Sequence, residues 1–167
     1  MKTPDFWYGG GASALGALLS PFGLIYGAAT ALRQRKKAVD VGAPVVCVGN
    51  LTAGGAGKTP VVIDIARRLA NAGRQPHVIS RGYGGAVGVA PRRVDPATDR
   101  ADTVGDEPLM IAGSATVWVG GDRPGAARAA VDAGAGALVL DDGFQDPSLA
   151  KDLSIVVVDG RYGFGNG

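Results

Sequence analysis

The sequence predicts an α/β fold, a parallel sheet flanked by helices with a phosphate-binding loop after its first strand, preceded by an amino-terminal membrane helix. Three observations carry this reading. From residue 44 onward, short β-branched runs alternate with amphipathic stretches, the pattern of strands joined by crossover helices. An apolar run at 45–48 flows into a glycine-rich turn that closes on Gly57-Lys58-Thr59. No charged residue occurs from Phe6 to Leu32, and then Arg33, Arg35, Lys36 and Lys37 follow at once.

A helix of about 20 residues within that uncharged run would rise ~30 Å, the thickness of a bilayer's hydrocarbon core. The basic cluster at one end marks a cytoplasmic side, and Phe6, Trp7 and Tyr8 at the other resemble an interfacial aromatic belt. Pro21 and several glycines weaken the helix, leaving a tilted or interfacial segment open. A cleavable signal peptide, with small residues at Ala29-Thr30-Ala31, is a rival reading, but its positive charge should precede the apolar stretch and here it follows. A buried core helix is another, because Ala and Gly dilute the hydrophobicity. The basic cluster also suits anionic headgroups or an anionic lipid. The expected organisation is residues 1–37 as a membrane-associated helix with its basic flank, and 38–167 as the α/β core.

Within that core, strands are expected at 45–48, 77–80, 116–119, 137–140 and 153–158, and helices at 61–71, 108–112 and 124–133, the last stopped by Gly134. Residues 82–102, rich in Gly, Pro and Arg, read as a long loop or small hairpin excursion over the site. A chain of 167 residues with 46% hydrophobic composition suits one domain with a real core. The formal net charge of +2 gives no case for nucleic acid as a partner. The single cysteine, Cys47, excludes an intrachain disulfide and reads as a small core residue in a reducing compartment. The single histidine, His77, sits on an expected strand and reads as structural.

The loop after the first strand is a phosphate cradle. Thr52, Ala53, Gly54, Gly55, Ala56 and Gly57 let successive N–H groups curl around an anion with few Cβ atoms in the way. Lys58 would reach the β- and γ-phosphates of a nucleotide, and the hydroxyl of Thr59 would sit on Mg²⁺. The helix opening near Thr59 and Pro60 adds the positive end of its dipole, and proline suits a first helical turn. Thr52 stands where the general P-loop motif has glycine, and a glycine-rich turn without nucleotide is the plainer alternative.

Two acidic motifs lie downstream. The aliphatic run 137–140 ends in Asp141-Asp142-Gly143-Phe144-Gln145, a buried strand closed by carboxylates at the edge where open α/β sheets bind ligands. Either Asp141 or Asp142 could hold Mg²⁺ with the other orienting the site, or the pair is an acidic turn that caps the next segment. Phe144 reads as packing, and Gln145 suits packing or substrate contact. Asp106, in Val104-Gly105-Asp106-Glu107-Pro108, is either a helix N-cap or the carboxylate that a phosphoryl transfer needs beside the acceptor hydroxyl. Arg81, in Ser80-Arg81-Gly82-Tyr83-Gly84-Gly85, offers a planar fork to a phosphate or belongs to a surface salt bridge, and Arg123 is a weaker candidate of the same kind.

Taken in order, the motifs at 49–60, 80–85, 104–108, 141–145 and 164–167 resemble those of the tetraacyldisaccharide 4′-kinase family, the lipid A 4′-kinases. Thr52 is normal in that family. The resemblance implies a P-loop kinase core that binds ATP and Mg²⁺ and phosphorylates the 4′-hydroxyl of an acylated glucosamine disaccharide 1-phosphate at the cytoplasmic face of a bacterial inner membrane. It implies nucleotide contacts from 52–59 and Arg81, metal contacts from Thr59, Asp141 and Asp142, and catalytic roles for Lys58 and Asp106. Family members are roughly twice this length, so the resemblance also implies a second half beyond Gly167, carrying the histidine that partners Asp106. Asp146 stands where many members have His, and Lys151 where a later Arg is usual; neither change is expected to abolish the chemistry. A P-loop GTPase or ATPase that switches conformation is the alternative class, although no Asn-Lys-x-Asp motif is present in these residues. An inactive nucleotide-binding or membrane-anchoring fragment is the remaining one.

Overall fold

The computed structural model describes residues 38–50 and 57–160, with positions 21, 23 and 27, which are helical. The elements are β1 (Val45–Gly49), α1 (Lys58–Asn71), β2 (Pro76–Ser80), β3 (Arg92–Arg93), α2 (Ala101–Val104), α3 (Asp106–Ala112), β4 (Thr116–Val119), α4 (Arg123–Asp132), β5 (Ala137–Asp141) and β6 (Leu153–Val156). They form one sheet in the order β3-β4-β2-β5-β1-β6. Every pairing is parallel except β3 with β4.

The expected parallel sheet is thus mixed at one edge, where the 82–102 excursion lays Arg92 and Arg93 antiparallel against Val119 and Trp118. Two residues are too few to show a strand period, so the sequence pattern carried no sign of β3. The last strand stops at Val156, short of the expected 158, and α3 starts at Asp106, ahead of the expected 108. The short α2 helix was not expected. No helix among the described residues is long and apolar enough to cross a membrane. The membrane helix expected within 1–37 lies, apart from the three helical positions, outside the described residues.

Alternation along the strands divides the core between the two sheet faces. Val48, Val78, Val117, Val119 and Val139 pack with Val62 and Ala66 of α1 and Ile111 of α3. Val45, Cys47, Ile79, Leu138 and Leu140 face the other way, against Ala126, Ala127 and Ala130 of α4. Small side chains let α4 approach the sheet closely, and this helix packs mainly over β2 and β4. Beside β1 and β5, on the same face, the cover is irregular: Val39, Val41, Leu149 and Phe144. The Val39 N–H donates to the Ser148 carbonyl at 2.9 Å, and the Ala150 N–H returns a bond of 2.9 Å to the Val39 carbonyl. These bonds lash the segment entering β1 to the crossover between β5 and β6.

His77 and Cys47 are core residues as expected. Trp118 Nε1 donates to His77 Nδ1 at 3.3 Å, and burial lowers the pKa of the imidazole.

Candidate active site

The carboxyl end of β1 meets that of β5, with Val48 in register with Asp141. Parallel pairing therefore sets the glycine-rich loop beside the acidic turn, although about 90 residues separate them along the chain. Gly49 makes the approach possible, because a Cβ there would lie 2.6 Å from Phe144 Cβ. Residues Thr52 to Ala56 of the expected cradle lie outside the described residues. Gly57, which closes the loop, adopts the left-handed conformation at φ 76° and leads directly into α1.

Lys58 is the first residue of α1, and its ammonium group is already placed. Its Nζ donates to Asn50 Oδ1 at 3.0 Å and lies 3.6 Å from Asp142 Oδ1. Thr59 follows, buried in the first turn of the helix. Lys58 and Asp142 are thus brought together across the β1–β5 seam.

Asp141 and Asp142 occupy different environments. Asp141 ends β5 with 2% exposure, and its Oδ2 accepts from Ser80 Oγ at 3.0 Å. Burial pushes its carboxyl up, and the neighbouring Asp142 adds to this against the Ser80 hydrogen bond and the charges of Lys58 and Arg123. Its Oδ1 is buried with no hydrogen-bond partner among the described residues. Such an oxygen is costly to leave alone. A divalent cation would satisfy it, and a hydroxyl with carboxylates is the hard donor set that Mg²⁺ takes. Among the described residues no group of three or more His, Cys, Asp or Glu could hold a metal. Asp142 is exposed and sits at φ 51°, an uncommon conformation for a residue with a Cβ.

The arginines behave differently from one another. Arg123 is 2% exposed and faces protein: its Nη2 donates to the carbonyls of Asp141 at 2.8 Å and Asp142 at 2.9 Å, and its Nη1 to Asp146 Oδ2 at 3.3 Å. As a phosphate ligand it is therefore corrected to a buttress beneath the acidic turn. Arg81 pairs with the same Asp146 oxygen at 3.0 Å while remaining 62% exposed, which is the salt-bridge alternative, with its outer face still open to an anion. Burial alone would raise the Asp146 carboxyl, but hydrogen bonds from Ser148 and Arg81 and the charge of Arg123 hold it well below the usual range.

Asp106 opens α3 and is exposed, with Gly105 in the N-cap position, so the capping alternative does not describe it. Burial raises the pKa of the adjacent Glu107, and the charges of Asp141, Asp106 and Asp142 add to the effect against Lys58. The packing of α1 against α3 sets this helix on the same face of the sheet as the helix that carries Lys58. Its position is fixed by an interlock, since a Cβ on Gly85 would fall 2.5 Å from the Gly105 nitrogen and 2.7 Å from the Thr103 oxygen. The 80–85 and 104–108 motifs are thus one structure. Asn50, Ser80 and Glu107 were not singled out from sequence; Ser80 adjoins Arg81 and Glu107 adjoins Asp106, while Asn50 lies two residues before Thr52, and nearness in the chain was the available signal.

A family model described as tetraacyldisaccharide-1-P 4′-kinase matches residues 15–167. Proteins named tetraacyldisaccharide 4′-kinase are similar along the whole chain: 55% identical in Rhodospirillum centenum and 54% in Rhodospirillum rubrum, each over 100% of this chain and 50% of the relative. The chain therefore spans about half the length of the curated relatives it matches. Among solved structures, LpxK from Aquifex aeolicus in complex with ATP superposes with a TM-score of 0.72 at 29% identity, covering 84% of this chain and 48% of that one.

Proposed function

The chain belongs to the tetraacyldisaccharide-1-P 4′-kinase family, and on that premise we propose that it is the nucleotide-holding half of a lipid A kinase. The reaction is transfer of the ATP γ-phosphate to the 4′-hydroxyl of a tetraacylated glucosamine disaccharide 1-phosphate. The observation that carries the reading is the placement of Lys58 between Asn50 and Asp142, where the first turn of α1 meets the acidic turn.

Residues 52–57 and the amino terminus of α1 cradle the phosphates, and Lys58 neutralises charge that develops as the γ-phosphoryl group moves. Thr59, Asp141 and Asp142 are the residues that would hold Mg²⁺, whose chemistry is to screen the phosphate oxygens and fix their orientation. Exposed at the start of α3, Asp106 takes the proton of the acceptor hydroxyl, helped by a group from the second half. The open face of Arg81 binds a phosphate of the nucleotide or of the sugar. The uncharged run within 1–37, with its basic flank, keeps the domain at the cytoplasmic face of the inner membrane, where an acylated sugar resides.

The test is transfer of labelled γ-phosphate from ATP-Mg²⁺ to detergent-solubilised tetraacyl disaccharide 1-phosphate, by this chain and by a version extended to the length of its relatives. Lipid labelling by the extended form supports the assignment. Nucleotide hydrolysis with no lipid labelling in either form overturns it in favour of a switch-type NTPase.

A further inference from the structure

Four consecutive carbonyls of the acidic turn are held by two cations. Arg123 takes those of Asp141 and Asp142, and Lys151 Nζ donates to the next two, Gly143 at 2.6 Å and Phe144 at 3.1 Å. Every peptide plane from 141 to 144 is thereby fixed, including the left-handed one that sets the Asp142 carboxylate against Lys58. Directly beneath lies Cys47, fully buried, with a carbon placed on Gly143 only 3.1 Å from its Sγ. Lys151 does not touch the expected site of chemistry. It reaches the turn from the strand-free crossover between β5 and β6.

We propose that Lys151 is a positioning residue: together with Arg123 it latches the acidic turn over Cys47, and release of this latch unseats Asp142 from Lys58. The role for the site rests on the kinase reading above, whereas the latch itself does not.

Cys47 is the single cysteine of the chain, so its reaction with a thiol reagent reports opening of the turn without background. Burial raises the pKa of the thiol, and it stays a slow nucleophile until uncovered. Local opening gives a labelling rate that is independent of denaturant at low concentration, whereas global unfolding gives one that climbs steeply. The wild-type chain is expected to show the flat regime, whatever any variant does; a steep dependence from the lowest concentrations overturns the latch.

Lys151→Met keeps the bulk of the side chain and removes both bonds. It is expected to speed labelling in the flat regime about ten-fold or more, from loss of two charge-assisted hydrogen bonds. Lys151→Arg restores donors and is expected to return the rate to within roughly two-fold of wild type. A Lys151→Met rate equal to wild type, or raised only in the steep regime, shows a general stabiliser and overturns the positioning role. Adding ATP-Mg²⁺ then tests the link to the site. A larger fold slowing of labelling by ATP-Mg²⁺ in wild type than in Lys151→Met supports it, and an equal fold slowing in both overturns it. Absence of protection in either counts against the nucleotide reading and leaves the latch result standing.

Discussion

Replacing Arg123 with Met removes a guanidinium that is 2% exposed and bonds two backbone carbonyls and one carboxylate. Methionine fills much of the volume, so lost polar contacts dominate over a cavity. Breaking one partner of a buried ion pair costs about 3–5 kcal/mol. Asp146 keeps its Arg81 bond, which places the expected loss toward the lower end of that range. At ~2–4 °C per kcal/mol for a chain of this size, a loss of about 3 kcal/mol should lower the melting temperature by roughly 6–12 °C, most simply read by circular dichroism alongside a urea titration. The pH dependence separates the two kinds of bond. Because Asp146 is held below its ordinary range when folded, its contribution is complete above the unfolded value of about 3.9 and is lost as pH falls toward the folded value. The gap between wild type and Arg123→Met should therefore be constant from about pH 7 to 5 and narrow below about pH 4. A total loss under about 1 kcal/mol would refute the buttress, since surface substitutions alone reach half of that. A gap that persists undiminished in acid would assign the whole effect to the carbonyls.

Asp141→Asn should raise thermal stability at neutral pH while weakening metal-dependent ATP binding. The sign follows because burial raises the folded pKa of Asp141, so its ionised form opposes folding at pH 7 and the opposition fades as pH falls through the folded value. Calorimetry at neutral and acid pH checks it, and a destabilised variant at neutral pH counts against it. Gly49→Ala should cost about 1–3 kcal/mol by driving a methyl into Phe144, measured by urea unfolding. In the extended enzyme, Lys58→Ala and Asp106→Ala should each lose most turnover, on the order of 10²-fold or more, with unchanged circular dichroism. Wild-type-like turnover in either removes that residue from the proposed mechanism.

The parts of the fold written in local pattern were legible beforehand. Val45 to Gly49 and Ala137 to Asp141 announce themselves as apolar runs ending in glycine or carboxylate, and parallel pairing then joins Lys58 to Asp142. What escaped depends on contacts distant in sequence. Arg123 looks the same in sequence whether it faces solvent or the carbonyls of Asp141 and Asp142; only the packing of α4 decides. Asp146 and Lys151, departures from the family resemblance that left local contacts open, bond their own surroundings. The interlock of Gly85 with Gly105 is a steric fit between two turns, and no single-sequence periodicity encodes it.

The insertion of β5 between β1 and β2 constrains how the molecule is made. Those two strands are neighbours in sequence but not in the sheet, and each hydrogen-bonds to β5 instead. During synthesis they must wait on either side of a gap for residues 137–141, with their inner edges exposed to wrong partners. Docking of β5 joins segments separated by a large part of the chain, which makes it entropically slow. Lys58 acquires its carboxylate partner only when β5 docks, so the seam beneath the proposed nucleotide site forms late, with only the edge strand β6 still to be added.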